Sequence, residues 1–269
     1  MTEHLPAIVL AGERPGGGLL GKHFGAAANA LVPVCGLPSI VRVIEALRKT
    51  TCISGGLISG PSAEVVNASA VFASIRERGD FLWVAPEPGP AESASSALRR
   101  LDRWPVLITT ADHALLQPGV IERFCTQAMV AEQDMVVGLA DAVKVKAAFP
   151  HSRRTVLAFA DGGRCGTNLF LLRNPAALCI VDFWRDIQAE RKRPWRMARR
   201  IGVGVLVRYL LGRLRVDDAL RMLGQRAGGT VGWIDVAEAS AAVDVDSVAD
   251  HALAEVVIRA RGAGDAAGA

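Results

Sequence analysis

At 269 residues, 51% of them hydrophobic, the chain can bury a large core, and α/β folds commonly reach this length as one unit. Lys and Arg number 31 against 27 Asp and Glu, a net charge of +4 that admits anionic partners without implying nucleic acid. The first residues lack a basic region leading into a long apolar stretch, and no uninterrupted apolar run reaches the roughly 17–25 residues that cross a bilayer, so a soluble cytoplasmic protein is expected.

Residues 7–11 are a short continuous apolar run ended by Gly12, the pattern of a buried central strand. Residues 37–49 predict a helix, with Pro38 at its start and Ile40, Val43, Ile44 and Leu47 on one face. Further strands are predicted over 53–59, 81–85 and 106–110, with helices over 63–78 and 93–102 between them. After Asp112 come a helix over 117–131 and a strand over 135–139. Segments 156–159 and 167–172 flank the turn Asp161-Gly162-Gly163 and are expected to pair antiparallel. Residues 179–226 read as almost wholly helical, rich in arginine, and interrupted by Pro194, Gly202, Gly204 and Gly212. A strand over 230–236 and a helix over 248–261 complete the pattern. The Gly/Ala tail 263–269 is expected to be disordered.

Alternating strands and helices predict an α/β fold with a mostly parallel, Rossmann-like sheet covered on both faces. One domain over 1–262 with a helical insertion at about 180–227 is the economical organisation. Cys35, Cys52, Cys125, Cys165 and Cys179 are odd in number and form no C-x-x-C, so reduced core thiols are expected.

The first candidate for chemistry is the loop Leu10-Ala11-Gly12-Glu13-Arg14-Pro15-Gly16-Gly17-Gly18. A glycine-dense turn leaving a buried strand brings backbone N–H groups close to a phosphate, and an arginine within it neutralises charge. Its spacing fits neither G-x-G-x-x-G nor a P-loop. The second candidate is Val106-Leu-Ile-Thr-Thr-Ala-Asp112, which sets a carboxylate just past the C-terminal end of an apolar strand, the edge where open α/β sheets bind ligands. Asp112 has a competing role as the cap of the following helix, and His113 beside it reads as a loop histidine. The third is Ala242-Val-Asp244-Val-Asp246-Ser247, where period-2 geometry points Asp244 and Asp246 to one side. Asp250 sits in a first helical turn, where the helix dipole accounts for it.

Together with Asn29-Ala-Leu-Val-Pro-Val-Cys-Gly36-Leu-Pro38 and Pro88-Gly-Pro-Ala-Glu-Ser93, these segments resemble the MobA-like NTP transferases, the broad nucleotidyltransferase family of the molybdenum-cofactor guanylyltransferases and the sugar-phosphate and alcohol-phosphate cytidylyltransferases. The likeness covers most of 7–172 and 230–258, and 180–226 has no counterpart. It implies a nucleotide-diphosphate-binding sheet of the GT-A-like type and a Mg2+-dependent transfer from a nucleoside triphosphate, with CTP or GTP favoured, to a phosphorylated small molecule or lipid precursor. It further implies a nucleotide site at Leu10, Ala11, Gly12, Arg14, Gly16, Gly17, Asn29 and Ser93, although a Ser N-cap after a proline-rich turn explains Ser93 equally well. Mg2+ would lie on Asp112 and Asp246, and Asn168 would face the acceptor. Arg154, just before the next strand, reads from its position as a clamp on the acceptor's phosphate or simply as the end of a loop.

Asn29 stands where the family carries a lysine in Lys-Ala-Leu, and Lys22, on what reads as a flexible loop, is the candidate substitute. That departure keeps a catalytically silent nucleotide-binding protein as an alternative, beside a glycosyltransferase that uses a nucleotide-sugar on the same fold. The basic stretch at 191–200 with Trp195 either lies in water as a solvated lid, binds a phosphorylated acceptor, or lies against anionic lipid headgroups.

Overall fold

The computed structural model describes residues 4–13, 18–190 and 193–267. Strand β1 (Leu5–Leu10) is buried along its whole length, because its alternating side chains enter two different cores. Leu5, Ala7 and Val9 pack on one face, and Ile8 and Leu10 on the other. A strand covered on both sides has no position for a polar residue, which is why this segment reads as an unbroken apolar run.

Helix α1 (Leu19–His23), a 3₁₀ turn at Asn29–Leu31 and the small antiparallel ribbon of β2 (Pro33–Val34) and β3 (Leu37–Pro38) precede α2 (Ser39–Arg48). β4 (Ile53–Ser59) lies parallel to β1. The helix expected over 63–78 is two, α3 (Ala63–Ala68) and α4 (Ala70–Arg78), because Ser69 takes an extended conformation between them. β5 (Phe81–Val84), α5 (Pro90–Leu101), β6 (Val106–Thr110), α6 (Pro118–Met129), β7 (Met135–Asp141) and α7 (Ala142–Ala148) follow.

β8 (Leu157–Phe159) and β9 (Gly162–Leu172) form the expected hairpin, but the pairing differs from the sequence reading. β8 pairs with the start of β9, Leu157 opposite Arg164, whereas the stretch expected to meet it, 167–172, is inserted antiparallel between β6 and β7. Four helices then lead to the next strand: α8 (Ala177–Ala189), α9 (Pro194–Ile201), α10 (Val203–Leu210) and α11 (Val216–Ala227). β10 (Val231–Asp235) pairs parallel with β7. The last helix, α12 (Val248–Ala267), continues past Arg261 through residues expected to be disordered; the alanines there favour helix, and no proline interrupts them.

The main sheet runs β10-β7-β9-β6-β1-β4-β5. The direction of winding reverses between β1 and β6, so the loops leaving these two strands diverge and open a crevice at their carboxyl ends. Register aligns those ends: Leu10 is level with Thr110 on one side and with Ser59 on the other, and Ser59 with Val84. One core lies between the sheet and α2, α4 and α6, and holds the fully buried Phe72, Phe81 and Phe124. Each such ring contributes about 1.5–3 kcal/mol relative to an exposed one. The other core lies against α5 and α8. Cys52, Cys125 and Cys165 are buried and Cys35 and Cys179 half-buried, all as free thiols. Among the described residues no helix is long and apolar enough to cross a membrane.

Candidate active site

β6 ends at Thr110, and the turn after it presents Asp112, whose carboxylate accepts a hydrogen bond from the Thr110 hydroxyl. The competing capping role falls away, because α6 begins later, with Gln117 at its N-cap. The turn is held from below: Ser39, buried at the start of α2, donates its hydroxyl to the Ala111 carbonyl at 2.7 Å. His113 is wholly buried under it, neither ring nitrogen finds a hydrogen-bond partner among the described residues, and burial keeps the imidazole neutral.

The late acidic segment comes to this same turn. Val245 donates its amide to the Asp112 carbonyl at 3.0 Å. Val243 and Val245 are buried in a core with Leu115, and strand-like alternation sends Asp244 and Asp246 the other way, towards Asp112. The charges report the convergence. Burial first, and then the neighbouring Asp246, push the Asp112 carboxyl up to about 6. Burial, Asp112 and Asp246 push Asp244 up to about 8.

Asn168 arrives from β9. The β6–β9 register, Val106 opposite Leu172 and Ile108 opposite Phe170, carries Asn168 beside Thr110 when continued. Against β7 the register breaks at this point, between the pairs Val137–Phe170 and Leu139–Gly166, so β9 bulges outward. Asn168 sits in the bulge with φ of 51°, a left-handed conformation that asparagine tolerates better than most residues. Its amide donates to Asp244 Oδ1 at 2.9 Å. Thr167, fully buried, fixes the bulge through a 2.9 Å hydrogen bond to the Gly138 carbonyl.

Arg154 also reaches the acidic segment. Its guanidinium, mostly buried, pairs with Asp250, donates to the Asp244 carbonyl at 3.2 Å and to the Ser152 hydroxyl at 2.9 Å. These contacts tie Arg154 to the acidic segment. Asp250 is correspondingly more than a helix-dipole residue: it joins Arg154 to the first turn of α12, where Ser247 and Asp250 also cap one another.

Around the first loop the structure describes Leu10, Ala11, Gly12 and Glu13, while Arg14, Gly16 and Gly17 lie outside the described residues. The Gly12 backbone is approached closely by Gly60, where a Cβ would fall 2.6 Å from the Gly12 nitrogen; with φ of 97° as well, only glycine fits there. Asn29 ties the returning chain together. Its Oδ1 accepts the Gly21 amide at 2.8 Å, and its own amide donates to Glu13 at 2.6 Å. Gly18 lies so close that a Cβ there would fall 1.8 Å from the same Oδ1. Lys22 is exposed on α1, a helix where the sequence suggested a loop. Ser93 is buried in α5, whose N-cap is Gly89 and not Ser93; its hydroxyl accepts the Glu87 amide at 2.9 Å, closing the turn 87–93.

The donor set suits a hard cation that shares its coordination with a polyphosphate. Asp112, Asp244 and Asp246 are oxygen donors that repel one another, a repulsion a divalent ion relieves, and Mg2+ is commonly held by one or two carboxylates plus substrate phosphates. Among the described residues no group of three or more His, Cys, Asp and Glu side chains forms a cage able to hold a metal alone.

A family model, the MobA-like NTP transferase domain, matches residues 7–176. The chain belongs to that family. It is a nucleotidyltransferase. This MobA-like transferase is similar to a hypothetical transferase of Thermus thermophilus, with 28% identity and a TM-score of 0.76 over 92% of this chain and 99% of that one. It shares its fold with 4-diphosphocytidyl-2C-methyl-D-erythritol synthase of Anaerococcus prevotii, at 9% identity and TM-score 0.60 over 96% and 97% of the two chains. The fold is shared again with CMP:2-keto-3-deoxy-manno-octonic acid synthetase complexed with CTP, at 12% identity and TM-score 0.58 over 95% and 99%. Among curated proteins none matches the transferase. The family match ends before α8, so Asp244, Asp246 and α12 join the site from outside it.

Proposed function

We propose that the transferase moves a nucleoside monophosphate from a nucleoside triphosphate, CTP or GTP, to a phosphorylated small molecule or lipid precursor, and releases pyrophosphate. The observation that carries this reading is the meeting of Asp112 with Asp244 and Asp246 at the carboxyl edge, beside the crevice between β1 and β6.

In this reading Asp112 and Asp246 hold Mg2+, in keeping with the general use of a divalent metal in the family. A divalent ion held by these carboxylates would supply charge neutralisation to the phosphates. Asn168 fixes Asp244 at the back of the site, and Arg154 holds the backbone of the same segment. Leu10, Ala11 and Gly12 line the nucleotide side with their backbone, and the closeness of Gly60 leaves this turn little freedom to move. Positive charge on the phosphates comes from Arg14 and Lys22, since Asn29 replaces the family's lysine and is engaged in holding the loop. Transfer by direct attack of an acceptor oxygen needs no protein nucleophile; positioning and electrostatic stabilisation suffice.

The test is product analysis with each of the four ribonucleoside triphosphates, Mg2+ and a panel of sugar phosphates, polyol phosphates and alcohol phosphates. Pyrophosphate and a nucleotide-linked product from one triphosphate support the reading. Turnover only with a nucleotide-sugar, with release of nucleoside diphosphate, would overturn it in favour of glycosyl transfer.

A further inference from the structure

Segment 191–216 carries nine basic residues and no acidic one, although the whole chain has a net charge of only +4; the remainder is therefore net acidic. Six of the nine lie on α9, α10 and the turn that follows, and three immediately precede α9 in sequence. The same region holds an apolar surface that no described residue covers. Val203, Val207, Leu210 and Leu211 follow one another at helical spacing along α10 and past its end, and all are exposed, Leu210 by 73% and Leu211 by 62%. Trp195, at the start of α9, is 85% exposed.

The opposite side of α10 accounts for the fold. Val205 is buried with Leu214 and Ala219, Tyr209 packs edge-on to Phe159, and the Tyr209 hydroxyl accepts the Ala158 amide at 3.1 Å. The hairpin of β8 and β9 is therefore covered without the exposed stripe, which contributes nothing visible to stability. Arg199, Arg208 and Arg213 border the stripe in sequence, are exposed, and make no ion pair among the described residues. Arg196 and Arg200, by contrast, are paired with Glu190 and Asp186.

We infer that this face docks on an anionic lipid bilayer, with Trp195, Leu210 and Leu211 entering the headgroup region and Arg199, Arg208 and Arg213 pairing with lipid phosphates. Charge complementarity selects this occupant. An apolar strip bordered by arginines of one sign matches an interface that is apolar beneath and anionic above, and long arginine stems keep the guanidinium at the headgroups while the apolar residues sink. The surface is joined to the site by one strand: the hairpin under α10 continues as β9 to Asn168, six residues from Gly162, about 20 Å at 3.3 Å per residue. The inference does not depend on the choice of nucleotide or acceptor.

The experiment is co-sedimentation of the full chain with vesicles of phosphatidylcholine alone and with phosphatidylcholine containing phosphatidylglycerol, at low and high salt. Binding to the anionic vesicles that weakens with salt, with little binding to the neutral ones, is expected. The double variant Arg208→Glu with Arg213→Glu should weaken binding at least about tenfold, and Leu210→Ser with Leu211→Ser should do the same at unchanged thermal midpoint, because these side chains are exposed. No binding of the unaltered protein to anionic vesicles would overturn the inference, and so would equal binding by folded variants. A concentration-dependent dimer that Leu210→Ser with Leu211→Ser dissolves would overturn it too, by assigning the stripe to a second copy.

Discussion

The Val245 amide and the Asp112 carbonyl share a 3.0 Å hydrogen bond, and that bond fastens the late acidic segment to the turn at the end of β6. It fixes which way Asp244 and Asp246 point, because a buried Val245 leaves its two neighbours no direction except towards Asp112. The buried pair of Arg154 and Asp250 reinforces the same segment from the side of α12.

Breaking that pair exposes its structural weight. Asp250→Ala leaves a buried guanidinium without its counter-charge and should destabilise the protein by about 3–5 kcal/mol. The double variant Arg154→Met with Asp250→Leu should recover much of the loss, because no unpaired charge remains. Denaturant unfolding of Arg154→Met, Asp250→Leu and the double variant reads this. Full additivity would show that the two side chains are uncoupled.

At Asn168 backbone and side chain can be tested separately. Asn168→Gly keeps the left-handed bulge and removes the amide that holds Asp244, so stability should change by less than about 1 kcal/mol while kcat/KM falls about tenfold. Asn168→Val adds backbone strain and should cost about 1–3 kcal/mol as well. Pyrophosphate release beside thermal melts measures both; unchanged kcat/KM in the glycine variant would remove Asn168 from the site.

Restoring the family's lysine is expected to harm the enzyme. Asn29→Lys removes the Oδ1 acceptor of the Gly21 amide and inserts a longer side chain against Gly18, where no space remains. A partly buried amide left unpaired costs about 1–3 kcal/mol, so the midpoint should drop and KM for the nucleotide should rise. Faster turnover at unchanged stability would show that the loop rearranges to use the lysine.

Asp134 provides a pH signature away from the site. It accepts hydrogen bonds from Asn174 at 2.9 Å and from the Thr230 amide and hydroxyl at 2.9 and 2.7 Å, and the Asn174 contact foremost holds its carboxyl below the ordinary range. A depressed native pKa gives stability that is present above the unfolded value, near 4, and lost as pH falls through the native one. Asp134→Ala should therefore cost about 1 kcal/mol near neutral pH, a figure reduced for solvent screening, and the gap to the unaltered protein should narrow as pH falls through the depressed native value. Urea melts at several pH values measure it; a gap independent of pH would contradict the assignment.

The strands were legible because burial on both faces leaves them apolar and bounded: 53–59 and 106–110 stand where the composition places them. The paired direction of Asp244 and Asp246 followed from period-2 geometry alone. Other features depend on partners distant in the chain. Nothing local distinguishes Asn168 from a turn asparagine until β9 is seen to enter between β6 and β7. Asp250 read as a helix-dipole residue because it sits in the first turn of α12, and only the fold brings Arg154 to it. The break at Ser69 was missed because its flanking residues, Ala68 and Ala70, are strong helix formers and carry no punctuation.

The most direct test of the account is the thermal midpoint with each ribonucleoside triphosphate, with and without Mg2+, for the unaltered protein and for Asp112→Asn. A ligand that binds only the folded state raises the midpoint by mass action, so no acceptor is needed. One triphosphate, CTP or GTP, should stabilise the unaltered protein only when Mg2+ is present, and Asp112→Asn should abolish that shift. If no triphosphate raises the midpoint, or if Asp112→Asn retains the full Mg2+-dependent shift, the site is not the one that Asp112, Asp244 and Asp246 define.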